Sequence, residues 1–287
     1  MIETILAFML WPQNQQTKYD YILNSLSEIQ QKYSTDAQLI TIGTDNFGRP
    51  IRGLKIGNGD VNVLVVGTHH GNEYGSTAVA MGAAEQFAKN PIANRTVYVI
   101  PVLNIDGYNN SLRYEQIDGR SIDPNRDYPG PCGTQGPFKS KATLALAQLI
   151  DQKNIVSSAT LHTYWPAVLY PWGISTNDVS TEYDSQFIDL SKKAVVASQY
   201  QIGNSTEVLY AADGTFEDYA FWAHGIWSLL FEMGVSHSPS ESNMQEMIQE
   251  NVPGIRKFLA ESPDSRAKKH SFTGKCSVNV LGRVHLE

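Results

Sequence analysis

The stretch VNVLVVG, residues 61–67, narrows the fold of this chain more than any other. Its apolar side chains run on continuously instead of alternating with polar ones, the pattern of a strand covered on both faces, as in parallel sheets. A second run of this kind, RTVYVIPVLN (95–104), follows the alanine-rich helix signature STAVAMGAAEQFAKN, for which Ser76 is a plausible cap. Parallel neighbours need such a crossover between them.

The remaining elements extend the same plan. Apolar residues at Tyr19, Ile22, Leu23, Leu26, Ile29 and Tyr33 give an amphipathic helix. QLITIG and IRGLKIG flank the turn TDNFGRP as a hairpin. Helices are expected over Ala142–Asn154, Tyr183–Gln199 and Thr215–Gly225, and strands at IVSSATLH and IWSLLFEMG. A last helix, SESNMQEMIQENVPGIRKFLAES, should bend or restart at Pro253. Strands alternate with helices after residue 60, so the fold class is α/β: a mixed, largely parallel central sheet with helices on both faces.

Composition removes some partners. Charged residues make up 18% of the chain, hydrophobic ones 41%, and the net charge is −7 with no basic run, which argues against nucleic acid. The apolar run Ile5–Trp11 is too short to span a bilayer, and with Glu3 before it and no small-residue cleavage site it makes a poor secretory signal. Compartment and oligomeric state therefore stay open. Two cysteines, Cys132 and Cys276, fit one bridge or two free thiols equally well.

The chemistry gathers where apolar runs end. GTHHGNEYGS (67–76) follows the first buried strand, and ligands of α/β sheets lie beyond the carboxyl ends of strands. His70 and Glu73 stand about one turn apart and can reach one small cation, while His69 and His70 could instead hydrogen-bond around the turn. A catalytic zinc needs a third protein ligand, and His162 closes another apolar run. Asn125 and Arg126 are adjacent in SIDPNRDYPG, a carboxylate clamp or a solvated loop. Glu232 ends IWSLLFE, as a base in a dry cleft or a carboxylate on the strand's exposed lip.

Taken together, these segments resemble the zinc metallocarboxypeptidase family, over roughly residues 19–260. THHGNEYGS, PVLNIDGY, IDPNRDYP and LHTYWPAVLYPWG resemble its successive motifs, and YAADGTFEDYAFWAHGIWSLLFE runs without a gap from its substrate tyrosine to its catalytic glutamate. Carboxypeptidase A is a standing example of a His₂Glu zinc centre. The resemblance implies one zinc per chain held by His70, Glu73 and His162, with Glu232 as general base. It implies a substrate carboxylate held by Asn125, Arg126 and Tyr210, and Arg113, or alternatively Arg120, as the transition-state arginine. His69 is left as a neighbour, either a support behind the ligands or simply a loop residue.

The resemblance also divides the chain into an N-terminal leader or extension (1–18), one catalytic domain (19–260) and a tail of unknown role (261–287). The position seven after the substrate tyrosine lies at the base of the family's side-chain pocket, where an acid goes with basic substrates. Here it is Glu217, unless that side chain turns outward. Pro124, Asp127 and Tyr128 depart from the usual Asp-Leu-Asn-Arg-Asn-Phe box, and Asp127 could compete for the Arg126 guanidinium. The implied partner is a peptide, or a muropeptide if the chain acts as a murein amidase at diaminopimelate. An amidohydrolase related to aspartoacylase or succinylglutamate desuccinylase, and a non-catalytic peptide-binding module, are the other readings.

Overall fold

The computed structural model describes residues 16–133, 137–174, 180–268 and 272. Nearly all of the expected leader, Cys276 and the strand-like end of the tail lie outside them. The strands are β1 Ala37–Thr44, β2 Pro50–Ile56, β3 Val61–Gly67, β4 Arg95–Ile100, β5 Glu115–Ile117, β6 Arg120–Ile122, β7 Ser157–His162, β8 Ala167–Tyr170, β9 Gln201–Asn204 and β10 Trp227–Glu232. The helices are α1 Lys18–Lys32, α2 Tyr74–Lys89, α3 Ile105–Asn110, α4 Lys141–Gln152, α5 Asp184–Ala194, α6 Ser205–Val208, α7 Phe216–His224 and α8 Glu241–Glu261.

Eight strands form one sheet in the order β1-β2-β4-β3-β7-β10-β8-β9. Its centre, β4-β3-β7-β10, is parallel, and β2 and β8 pair antiparallel on either side. The sheet is thus mixed α/β, as the apolar runs foretold. Every residue of β4 and β7 is buried, as is all of β3 except Asn62, which explains why those sequences carry no polar alternation.

Local rules account for several element ends. Thr17 and Asp20 close a capping box at the start of α1. The α2 helix begins two residues before the expected cap. Glu73 stands at its cap position without a side-chain cap bond, while Ser76 Oγ donates to the Glu73 carbonyl and accepts from Thr68 N–H. The helix expected through Gln199 stops at Ala194.

Pro253 does not restart α8, which runs unbroken through it. The long apolar face of this helix, including Met247, Ile248, Val252, Ile255 and Phe258, is buried, and this packing outweighs the lost backbone bond. Gly254 lets α8 approach α5: a Cβ there would lie 1.8 Å from the Ala194 carbonyl oxygen.

The described residues beyond Glu261 dock on the domain. Buried Arg95 donates to the carbonyls of Leu259, Ala260 and Ser262 and to Asp264, and Arg266 donates to the carbonyls of Ile150 and Ile155. The Phe272 ring packs edge-on against Trp172.

Candidate metal centre and surrounding cleft

Three parallel strands deliver the site. β3 and β7 are register partners, and Gly67 pairs with Leu161, so the turn after β3 and the end of β7 arrive side by side. β10 pairs with β7 on its other edge, with Glu232 opposite His162. The turn after β3 can fold down because Gly71 touches the backbone of α3; a Cβ on it would meet the Gly107 carbonyl carbon at 2.0 Å.

His70, Glu73 and His162 converge, with one ligand atom from each lying within 4.8 Å of the others. His70 Nδ1 is 2.6 Å from Glu73 Oε1, and His162 Nδ1 is 3.1 Å from Glu73 Oε2 and 3.2 Å from His70 Nδ1. All three side chains are buried. Two imidazoles and a carboxylate turned inward on one point are a donor set that fits a zinc ion. Burial alone would raise the Glu73 carboxyl; His70 and His162 outweigh it and hold the group well below the usual carboxylate range.

Sequence reasoning missed Asp123. One of its oxygens is 3.0 Å from His70 Nε2, the ring nitrogen that faces away from the triad, and the other accepts from Arg113 Nε and Nη2 at 3.2 and 3.1 Å. It therefore fixes the His70 tautomer that leaves Nδ1 free for a cation. Its position, two residues before Asn125, was the available signal. Burial opposes ionisation of Asp123, but His70 and Arg113 overcome it and keep the carboxyl well below its ordinary range.

Of the two candidate arginines, Arg113 reaches the triad, with Nη1 3.7 Å from Glu73 Oε1. Arg120 lies on the exposed β6 strand, paired with Ile117.

Of the residues expected to form the clamp, Asn125 stands beside the triad. Asn125 is buried; its Oδ1 accepts from Phe216 N–H at 2.9 Å and its Nδ2 lies 3.5 Å from His162 Nε2. Arg126 points to Tyr210, Nη2 to Oη 3.4 Å, and Tyr210 is largely exposed. Asp127 does not compete for Arg126. It accepts from the backbone N–H of Lys139 and Ser140 and from the Thr143 hydroxyl, tying down the start of α4.

Glu217 does not turn outward: it is buried, one oxygen accepts from the Thr160 hydroxyl, and Oε2 has no hydrogen-bond partner. Glu232 is part-buried at the end of β10. Desolvation, then the charge of Glu73, push its carboxyl well above the usual range, against the pull of Arg113 and Arg126.

His69 is no loop residue at the rim. It is fully buried, its Nε2 lies 3.0 Å from Tyr128 Oη, and its ring stacks on that of His162. Burial and the neighbouring His162 hold it neutral, well below the ordinary histidine range. Cys132 is not a free thiol. Among the described residues, no helix is long and apolar enough to cross a membrane.

A family model described as zinc carboxypeptidase matches residues 22–254. Carboxypeptidase O of Bos taurus is 26% identical, over 90% of this chain and 82% of its own length. Carboxypeptidase B of Astacus astacus is 25% identical, over 72% of this chain and 82% of its own. Among solved structures, bovine thrombin-activatable fibrinolysis inhibitor in complex with tick carboxypeptidase inhibitor matches with a TM-score of 0.75 at 20% identity, covering 84% of this chain and 95% of that one. Murein-tripeptide amidase from Escherichia coli O157 matches with a TM-score of 0.56 at 16% identity, covering 78% and 92%. At these identities the structural likeness concerns the fold.

Proposed function

The chain belongs to the zinc carboxypeptidase family and is a peptidase, and we propose that it releases single residues from the free C-termini of peptides, with a preference for basic ones. The observation that carries this reading is the buried His70–Glu73–His162 triad at the ends of β3 and β7. Bound zinc would supply a Lewis acid for the scissile carbonyl and acidify a water towards neutral pH.

The protein groups divide the remaining work. Glu232 takes a proton from the attacking water and hands it to the leaving amine. Its raised carboxyl pKa suits a base that must also act as an acid. Arg113, steered by Asp123, offers its guanidinium to the developing oxyanion. Asn125, Arg126 and Tyr210 grip the terminal carboxylate, so the bond cut is the last one. Glu217, with an unpartnered buried oxygen, meets the amine or guanidine of a basic C-terminal side chain. This is the finer part of the proposal.

A murein peptide at diaminopimelate is the second reading, because that residue also presents an amine to Glu217 and a murein-tripeptide amidase shares the fold. Purified protein assayed for zinc and for hydrolysis of peptides ending in Lys, Phe or Glu, of the same peptides amidated at the C-terminus, and of muropeptides tests both. We expect one zinc per chain and cleavage of the free-acid Lys peptide above the others. Equal cleavage of amidated peptides refutes the exopeptidase reading, and faster cleavage of muropeptides favours the second.

A further inference from the structure

The two histidines of the triad are held differently. His70 has the partner usual for a metal-binding imidazole, the part-buried Asp123 carboxylate at 3.0 Å from its outer nitrogen. Among the described residues His162 has no such partner. Its Nδ1 faces Glu73, so with a cation on Nδ1 the proton sits on Nε2. What faces Nε2 is the amide nitrogen of Asn125 at 3.5 Å, itself a donor. The Asn125 amide cannot turn over without loss, because its oxygen already accepts from Phe216 N–H. No acceptor for His162 Nε2–H occurs among the described residues.

Packing holds this ring instead. The His69 ring lies almost parallel to it, at 18° with centroids 5.5 Å apart, and His70 meets it edge-on at 4.8 Å. His69 is itself fixed: Phe216 packs at 5.8 Å, Asn104 Nδ2 donates to its carbonyl at 3.2 Å, and Tyr128 Oη is 3.0 Å from its Nε2. Tyr128 is fully buried, wedged against Phe216 and Tyr219, so its hydroxyl has one fixed place. A histidine and a tyrosine here, rather than two apolar side chains, leave His69 Nδ1 buried without a partner. A polar pair retained at that cost calls for a reason beyond filling space.

We propose that His69 and Tyr128 are positioning residues for the metal centre: the His69 ring is the wall that orients His162, and the Tyr128 hydroxyl sets the angle of that wall. This rests on the zinc reading above. It makes the third ligand depend on the Asn125–Tyr128 segment, so the substrate clamp and the metal site share a support.

The test is zinc affinity, measured by chelator competition on the whole protein, beside thermal unfolding of the metal-free form. The parent should bind zinc; if it does not, the zinc reading fails, independently of this proposal. Given a zinc-binding parent, His69→Ala should weaken zinc about tenfold or more, in the range for lost outer-shell partners. His69→Phe, which keeps a flat wall, should recover most of that loss. Tyr128→Phe removes one buried oxygen and should weaken zinc by a few-fold, so it decides the matter if His69→Ala does not fold. Lower metal-free stability with zinc affinity within twofold of the parent in both Tyr128→Phe and the His69 variants would reduce the pair to core filling and overturn the proposal.

Discussion

Replacing Glu217 by Gln asks whether the pocket reads charge. The substitution keeps the shape and an oxygen to accept from the Thr160 hydroxyl, and removes only the charge. Because Glu217 is 5% exposed, little water screens it. At an effective dielectric near 20, a substrate cation about 4 Å away gains ~4 kcal/mol of gross attraction. Desolvating that cation offsets part of it, yet leaving one partner of a buried pair unmatched costs about 3–5 kcal/mol. The expected loss in kcat/KM for a Lys-ended peptide is therefore about two to four orders of magnitude. A Leu-ended peptide of otherwise identical sequence should change less than about tenfold, since it never met the charge. The assay is kcat/KM for the two peptides on parent and variant, at neutral pH and fixed salt. A parent that prefers Leu, or a variant that slows both substrates equally, would mean that Glu217 does not meet the substrate side chain.

Other expectations follow from the same geometry. Glu232→Gln should keep its zinc and lose about 10²–10⁴ in kcat; a variant with normal zinc content and the parent's rate would remove Glu232 from the chemistry. Burial first, then the nearby Glu217 and Asp213, raise Asp218 from 3.8 to about 7 against the backbone N–H of Gly173 and Ile174. Between those values the folded state keeps a proton that the unfolded chain has lost, so this group's contribution to stability falls as pH rises through that window. Asp218→Asn should thus gain on the parent by roughly 2–4 kcal/mol between pH 4 and pH 8 in urea unfolding; an unchanged difference would contradict it. Gly254→Ala drives a methyl against the Ala194 carbonyl and should cost about 1–3 kcal/mol despite alanine's better helix propensity. Calorimetry should then show a Tm lower by several degrees, and an unchanged Tm would mean that α8 and α5 part without penalty.

How far the sequence could be read depended on the reach of each interaction. The buried strands were legible because covering both faces leaves a continuous apolar run, as in VNVLVVG. The triad was legible because its members end such runs, at Gly67 and at His162. Pro253 gave no helix break because a local rule about a missing N–H says nothing of the buried face that keeps α8 continuous. His69 stayed open between a support and a loop residue for a related reason: only the meeting of β3, β7 and the Asn125–Tyr128 segment buries it. Asp123 needed two long-range partners, His70 and Arg113, which no local pattern displays. The short β5–β6 hairpin and the β8–β9 pair carry too few residues for their periodicity to stand out.

His162 and Glu232 face each other at the last rung of the six-pair β7–β10 ladder, in the middle of the sheet. Amide protons along that ladder should exchange only through global unfolding, whereas those around Tyr210 and Tyr164, exposed on loops, should exchange through local opening. The grip proposed for Tyr210 therefore belongs to the fast-exchanging rim, while the spacing between His162 and Glu232 is inherited from the slowest-exchanging part of the chain. Heating or mild denaturant should loosen the Tyr210 contact with substrate well before it disturbs the His162–Glu232 spacing.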